Sequence, residues 1–190
     1  MLSNLINEIN ACKTCSKDLL LGPNPIIRLS LTSKIIIVGQ APGRRVHETG
    51  IPWNDPSGEQ LRRWMDVDCD YFYDASKVGI VPMGFCYPGK GKSGDLPPRK
   101  ECLYWHKQLE EYMYNTELIL LVGKYAQDYY LSSGYGTLTE NVRSFDQFLP
   151  KMFPLPHPSP RNRIWIKKHP WFEQDVLPVL KHQIAKFKIE

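Results

Sequence analysis

The strongest constraint on the fold is a set of short apolar runs, each ending in a loop of special residues. Lys34 to Val38 (KIIIV) is β-branched and closes at Gly39. A run of this kind, with no polar alternation, reads as a strand buried on both faces. Val78 to Met83 (VGIVPM), Leu118 to Val122 (LILLV) and Met152 to Leu155 are three more. Helical patterns lie between and around them. Leu2 to Asn10 has apolar residues at 2, 5, 6 and 9, with Ser3 as its expected cap. Pro56-Ser57-Gly58 opens EQLRRWM, and Tyr71 to Tyr73 forms a short turn. Glu101 to Tyr114, Lys124 to Leu131, Leu138 to Leu149, RIWIKKH and Trp171 to Phe187 complete the set. Strands alternating with helices predict an α/β fold with a central four-stranded, mostly parallel sheet flanked by helices. The length, 190 residues, and an apolar content of 42% suit a single domain over residues 1–190.

Three of the strands run into unusual loops. Residues 39–53 read GQAPGRRVHETGIPW, residues 84–99 read GFCYPGKGKSGDLPPR, and residues 156–162 read PHPSPRN. In a parallel sheet, loops that follow strands emerge on one edge, so the three clusters should converge on one crevice. Long loops in compact domains usually carry function.

The formal charge is +4 and the pI about 8.7, a mild basicity that suits a nucleic-acid or phosphate partner without demanding one. No stretch approaches the ~20 apolar residues of a membrane span. The N-terminus MLSNLINEINACKTC lacks the basic start and continuous apolar centre of a signal peptide. The expectation is a cytoplasmic monomer with no membrane partner. There are five cysteines, Cys12 and Cys15 forming a CxxC pair. In a reducing compartment this favours metal or redox chemistry over disulfides.

Each constellation has a chemical reading beside a plainer one. In HPSPRN, prolines at 156, 158 and 160 stiffen the backbone and can hold the His157 imidazole at a set point. The same stretch fits a proline-rich surface turn. The glycines of GQAPG let backbone N–H groups approach a phosphate, or make a tight turn. This is not GxGxxG, and no helix clearly begins at Gly43. A P-loop reading of KGKSG fails, because position 86 is Cys86 rather than glycine. Cys12, Cys15, Cys86 and Cys102 would suit zinc or an iron–sulfur cluster, or be ordinary thiols; Cys69 is the odd one out. Trp53 could be a core ring or a stacking surface for a base. Arg44, Arg45, Arg99, Arg161 and Arg163 fall in or beside the three loops, as solvated charges or as a phosphate-tracking rim.

Together these pieces resemble the uracil-DNA glycosylase superfamily. GQAPG followed by ETGIPW looks like the first motif of the family-four, iron–sulfur enzymes. HPSPRN looks like the second motif. The resemblance covers roughly residues 10 to 165. It implies a uracil-DNA glycosylase-like fold, a DNA partner carrying a damaged or deaminated base, and base excision by nucleotide flipping. It implies a structural 4Fe-4S cluster on Cys12, Cys15, Cys86 and Cys102. It gives His157 the role of donor to the departing base, and leaves Gln40, His47, Glu48 or Asp55 to position the water. Gly39, Ala41, Trp53, Asn54 and Asp55 would contact the base. Ser159, Arg161, Asn162 and Arg163 would contact DNA, with residues 161–164 filling the gap left by the flipped base. The chain departs from the pattern in three places. Gln40 replaces a glutamate, Val46 and His47 replace an acidic pair, and Pro82-Met83-Gly84 stands where a base-reading asparagine is expected. These departures keep open a member of the same fold that binds damaged DNA without cleaving it.

Overall fold

The computed structural model describes residues 1–92, 94–131 and 136–188. In chain order the elements are α1 (Leu2–Asn10), β1 (Ile35–Val38), α2 (Arg44–Thr49), α3 (Pro56–Met65), α4 (Cys69–Tyr73), β2 (Val78–Ile80), α5 (Leu103–Glu110), β3 (Leu118–Val122), α6 (Lys124–Tyr130), α7 (Leu138–Arg143), β4 (Met152–Leu155), α8 (Arg163–Lys168) and α9 (Leu177–Ala185). The four strands form one parallel sheet in the order β2-β1-β3-β4.

The strands are apolar along their whole length because both sheet faces are covered. Ile35, Ile37, Leu118, Leu120 and Phe153 face one layer, where they meet Leu61 and Trp64 of α3, Phe72 of α4, Val142 of α7 and Leu180 of α9. Ile36, Val38, Ile119 and Leu121 face the other, onto Leu5 and Ile9 of α1, Leu109 of α5 and Ala126 of α6. This is the two-residue strand period with an apolar partner on each side. Full burial of one such side chain contributes about 1.5–3 kcal/mol. Strand propensities differ by only ~1 kcal/mol, so the layers hold these short strands. The order also creates a switch point. β1 pairs with β2 on one side and with β3 on the other, so a crevice opens beside the carboxyl end of β1.

Several elements differ from the sequence expectation. Ser3 caps nothing; Met1 stands at the N-cap of α1 and no side chain closes it. A helix does begin after Gly43, within the stretch read as loop. β2 stops at Ile80, before Pro82 could break the ladder. Helix 101–114 is shorter, a 3-10 turn at Lys100–Cys102 leading into α5. The 138–149 stretch divides into α7 and a 3-10 turn at Phe145–Phe148, and α9 is preceded by a π turn at Phe172–Val176. Ser93, within the KGKSG stretch, lies outside the described residues. No described helix is long and apolar enough to cross a membrane.

Candidate functional site

The crevice at the switch point holds a pocket. Its walls include Gly39 to Gly43, Val46, Pro52, Trp53, Asp55, Ile80, Pro82 and His157, with Ile26 reaching in from the connector before β1. The loops after β1 and β4 and the end of β2 thus meet here. The 84–99 loop closes the rim. Gln40 Nε2 donates to the Leu96 carbonyl at 3.3 Å. A Cβ built on Gly94 would lie 2.7 Å from Arg161 Nη1, so the guanidinium of the third loop rests on the backbone of the second.

Trp53 is held in a conformation few residues of its kind adopt. Its φ is 56°, in the left-handed region. Two glycines make room for it. A Cβ on Gly39 would come within 2.8 Å of Trp53 Cζ2, and one on Gly58 within 1.8 Å of the Trp53 carbonyl oxygen. Arg62 Nη1 donates to that same carbonyl at 3.4 Å. The indole lies beside His157, with ring centroids 5.7 Å apart and planes inclined by 31°. That is contact distance for two aromatic rings. The two rings are therefore adjoining walls, and a flat ligand would lie against them, not between them.

His157 stands on the strand-to-turn junction after β4. The Gly123 backbone packs beneath its ring, where a Cβ would lie 3.7–3.8 Å away. Asn162 Nδ2 donates to the His157 carbonyl at 2.7 Å, bracing the turn. Burial pushes the imidazole below its ordinary pKa, and the Asp55 carboxylate pulls the other way. The net shift favours the neutral ring. Asp55 caps α3, its Oδ1 accepting from Gly58 N at 2.8 Å, which fixes the carboxylate on the pocket wall.

The site residues read from the sequence divide accordingly. Gly39, Gln40, Ala41, Trp53, Asp55 and His157 come together around the pocket. His47, Glu48 and Asn54 are not among its walls. For His47 and Glu48 the cause is α2: with 3.6 residues per turn, Val46 points into the pocket and the next two positions rotate away. Glu48 pairs with Arg44 at 2.8 Å on the exposed face. His47 faces the Tyr87 ring at 6.2 Å, its carbonyl accepting from Asn24. Ser159 caps the Pro160–Asn162 turn, its Oγ accepting from Arg161 N. Asn162 turns inward. Arg163 is exposed along a groove shared with Arg63, Ser159 and Lys167. Arg99 leaves the rim altogether, bonding Asp18 at 2.9 Å and Glu101 at 2.7 Å. Sequence reading missed the apolar walls Ile26, Pro42, Val46, Pro52, Ile80 and Pro82. It also missed the supports Gly58 and Arg62, for which only the glycine beside the helix start gave a signal.

Cys12, Cys15, Cys86 and Cys102 line a second, smaller cavity with Phe85, Arg99 and Trp105. Two come from the segment after α1 and two flank the 86–102 stretch. Burial raises Cys86 to about 11 and Cys102 to about 12. Cys69 lies apart, exposed at the start of α4. The donor set suits a thiolate-bound metal or cluster in kind and in shared location. Among the described residues, no three such side chains are drawn close enough to form a ready ligating group.

The family model described as the uracil DNA glycosylase superfamily matches residues 27–181 of this chain. The matched region includes every pocket wall but Ile26 and both loop motifs, and leaves Cys12 and Cys15 outside.

Proposed function

The chain belongs to the uracil DNA glycosylase superfamily, and on that premise we propose that it is a monofunctional DNA glycosylase. It hydrolyses the N-glycosidic bond of uracil or another deaminated base flipped out of the stack. The observation that carries this reading is the trio Trp53, His157 and Asp55 on the walls of one largely apolar pocket at the sheet's switch point.

The flipped base lies against the indole of Trp53. As the C1′–N bond breaks, its electron pair goes to the base and positive charge grows on the sugar. The neutral His157 ring donates an N–H to the base oxygen that gathers the negative charge. A single donor of this kind lowers the barrier by about 2.7–4 kcal/mol. Asp55 orients a water whose oxygen bonds to C1′, and takes up the water's proton. The departing base anion is then protonated from solvent. Asp55 fits this role better than His47 or Glu48, because it alone of the three lines the pocket. Gln40 carries no base and is tied to Leu96, so it contributes to the shape of the base edge. Arg163 and Lys167 supply positive charge along the groove beside Ser159, where Arg63 is paired with Glu59 and Glu173 adds a carboxylate; the DNA backbone would follow its cationic side.

Cys12, Cys15, Cys86 and Cys102 would hold a 4Fe-4S cluster, which when bound ties the N-terminal segment to the 86–102 stretch through metal–thiolate bonds.

The test uses oligonucleotides carrying a single uracil, hypoxanthine, xanthine or mismatched thymine. They are incubated with the protein or its His157→Ala variant and then treated with alkali. Strand breaks on at least one lesion, lost in the variant, are expected. The altered position Gln40 favours a second reading, a damaged-base binder; retention of lesion DNA without any strand break would replace the first reading by this one.

A further inference from the structure

Beneath the pocket lies a buried histidine that the chemistry above does not use. His106, on α5, is fully enclosed, with 0% of its surface exposed. Phe85 stacks on its ring at 5.4 Å and 23°. Its two nitrogens have different partners. Nε2 lies 3.0 Å from the Pro82 carbonyl, and Nδ1 lies 3.3 Å from the Tyr130 hydroxyl. A carbonyl can only accept, so Nε2 carries the proton. Nδ1 then offers its lone pair, and Tyr130 donates to it.

Pro82 is a wall of the base pocket. It has no N–H, and its carbonyl is turned down onto His106, so at this position the pocket meets its ligand with an apolar ring. The next two residues join this floor to the first loop. Met83 N donates to the Gly39 carbonyl and Gly84 N to the Gln40 carbonyl, each at 2.9 Å. Gly39 in turn carries the Trp53 ring. A continuous chain of contacts therefore runs from Tyr130 through His106 and Pro82 to Gly39 and Trp53.

We infer that His106 is a positioning residue. Its Nε2–H anchors the Pro82 carbonyl and so sets the height of the pocket floor against Trp53 and His157. The inference rests on the glycosylase reading for its catalytic consequence alone. With Pro82 forming the floor and Met83 and Gly84 bonded to the first loop, base fit depends on where this backbone is held.

Single-turnover excision on deoxyuridine and deoxyinosine oligonucleotides reads the effect, beside amide exchange over residues 79–88. His106→Leu removes the donor and leaves the carbonyl unpartnered. A loss of about 10–100-fold in the rate at saturating DNA is expected, since ångström-scale misplacement costs that much, with the half-saturating DNA concentration little changed. Faster exchange at Met83 and Gly84 should accompany it. His106→Gln keeps an N–H at similar reach and should restore both readouts to within about threefold. Tyr130→Phe, a milder change that guards against a folding defect, should slow the rate less than His106→Leu. Equal losses for the leucine and glutamine variants, or wild-type rate and exchange in His106→Leu, would overturn the inference. If the wild type releases no base, the glycosylase reading falls instead, and the exchange arm alone decides whether His106 holds the floor.

Discussion

The indole of Trp53 lies directly on the backbone of Gly39, so close that a Cβ there would reach 2.8 Å from Cζ2. Glycine at 39 is thus part of the ring's seat. Gly39→Ala should push the indole off this seat, lowering stability by about 1–3 kcal/mol through overpacking and weakening binding of lesion DNA. Trp53→Ala should itself remove a stacking contact worth roughly 1–3 kcal/mol. If the glycine acts through the ring, the double variant should bind no more weakly than Trp53→Ala alone. Titration of a fluorescent lesion oligonucleotide with the three variants checks this; additive losses would separate the two residues.

The His157 ring titrates below the ordinary histidine range, chiefly because burial disfavours its cation. An unfolded chain takes up this proton near pH ~6.5, before the folded one does. The neutral ring therefore contributes stability above that pH, and the contribution is lost as pH falls toward the folded value. Excision should follow the same ring. Its rate should hold level from pH 8 down to about 6.5 and fall only below it. The residual rate of His157→Ala should lack that acid limb. A limb centred at or above the ordinary histidine value would contradict the neutral-donor role.

Substitution can separate the α3 cap made by Asp55 from the water-positioning role proposed for it. Asn retains the cap on α3, while Ala loses it at about 0.5–2 kcal/mol. Asp55→Asn should therefore unfold near the wild-type temperature yet excise about 10²–10⁴-fold more slowly, the usual contribution of a positioned general base. Asp55→Ala should show the same rate loss and a lower unfolding temperature. Parallel thermal melts and single-turnover rates decide it. An asparagine variant at wild-type rate would move the water-positioning role elsewhere.

The sheet was legible in the sequence because its strands are uninterrupted apolar runs with a residue facing each layer. Ile35 to Val38 could be little else. The convergence of loops was legible too, since a parallel sheet leaves them one edge. What escaped was short or non-local. α2 has Val46 as its one inward apolar residue and Gly43 at its start, too little pattern to betray a helix, and the outward turn of His47 and Glu48 followed from that helix. The left-handed backbone of Trp53 depends on Gly58 and Arg62, which approach it only once α3 has docked. The bond from His106 to Pro82 joins residues 24 apart through tertiary packing alone.

Arg99 links the two halves of the cysteine cavity. Its Nη2 bonds Asp18, three residues after Cys15, and Glu101, next to Cys102. Among the described residues its buried Nε has no hydrogen-bond partner. The ion pairs are partly exposed, so each adds less than about 1 kcal/mol to stability. They also join the separate segments that carry the two cysteine pairs. Protein purified without oxygen should hold iron, and Cys86→Ser should lose it. Arg99→Gln should unfold within about 1 kcal/mol of wild type, yet release iron to a chelator roughly fivefold faster. Iron release and visible absorbance, read beside the melting curve, distinguish the two effects. Unchanged release in an iron-loaded variant would leave Arg99 a surface ion pair, whereas iron-free wild-type protein would remove the cluster itself from the proposal.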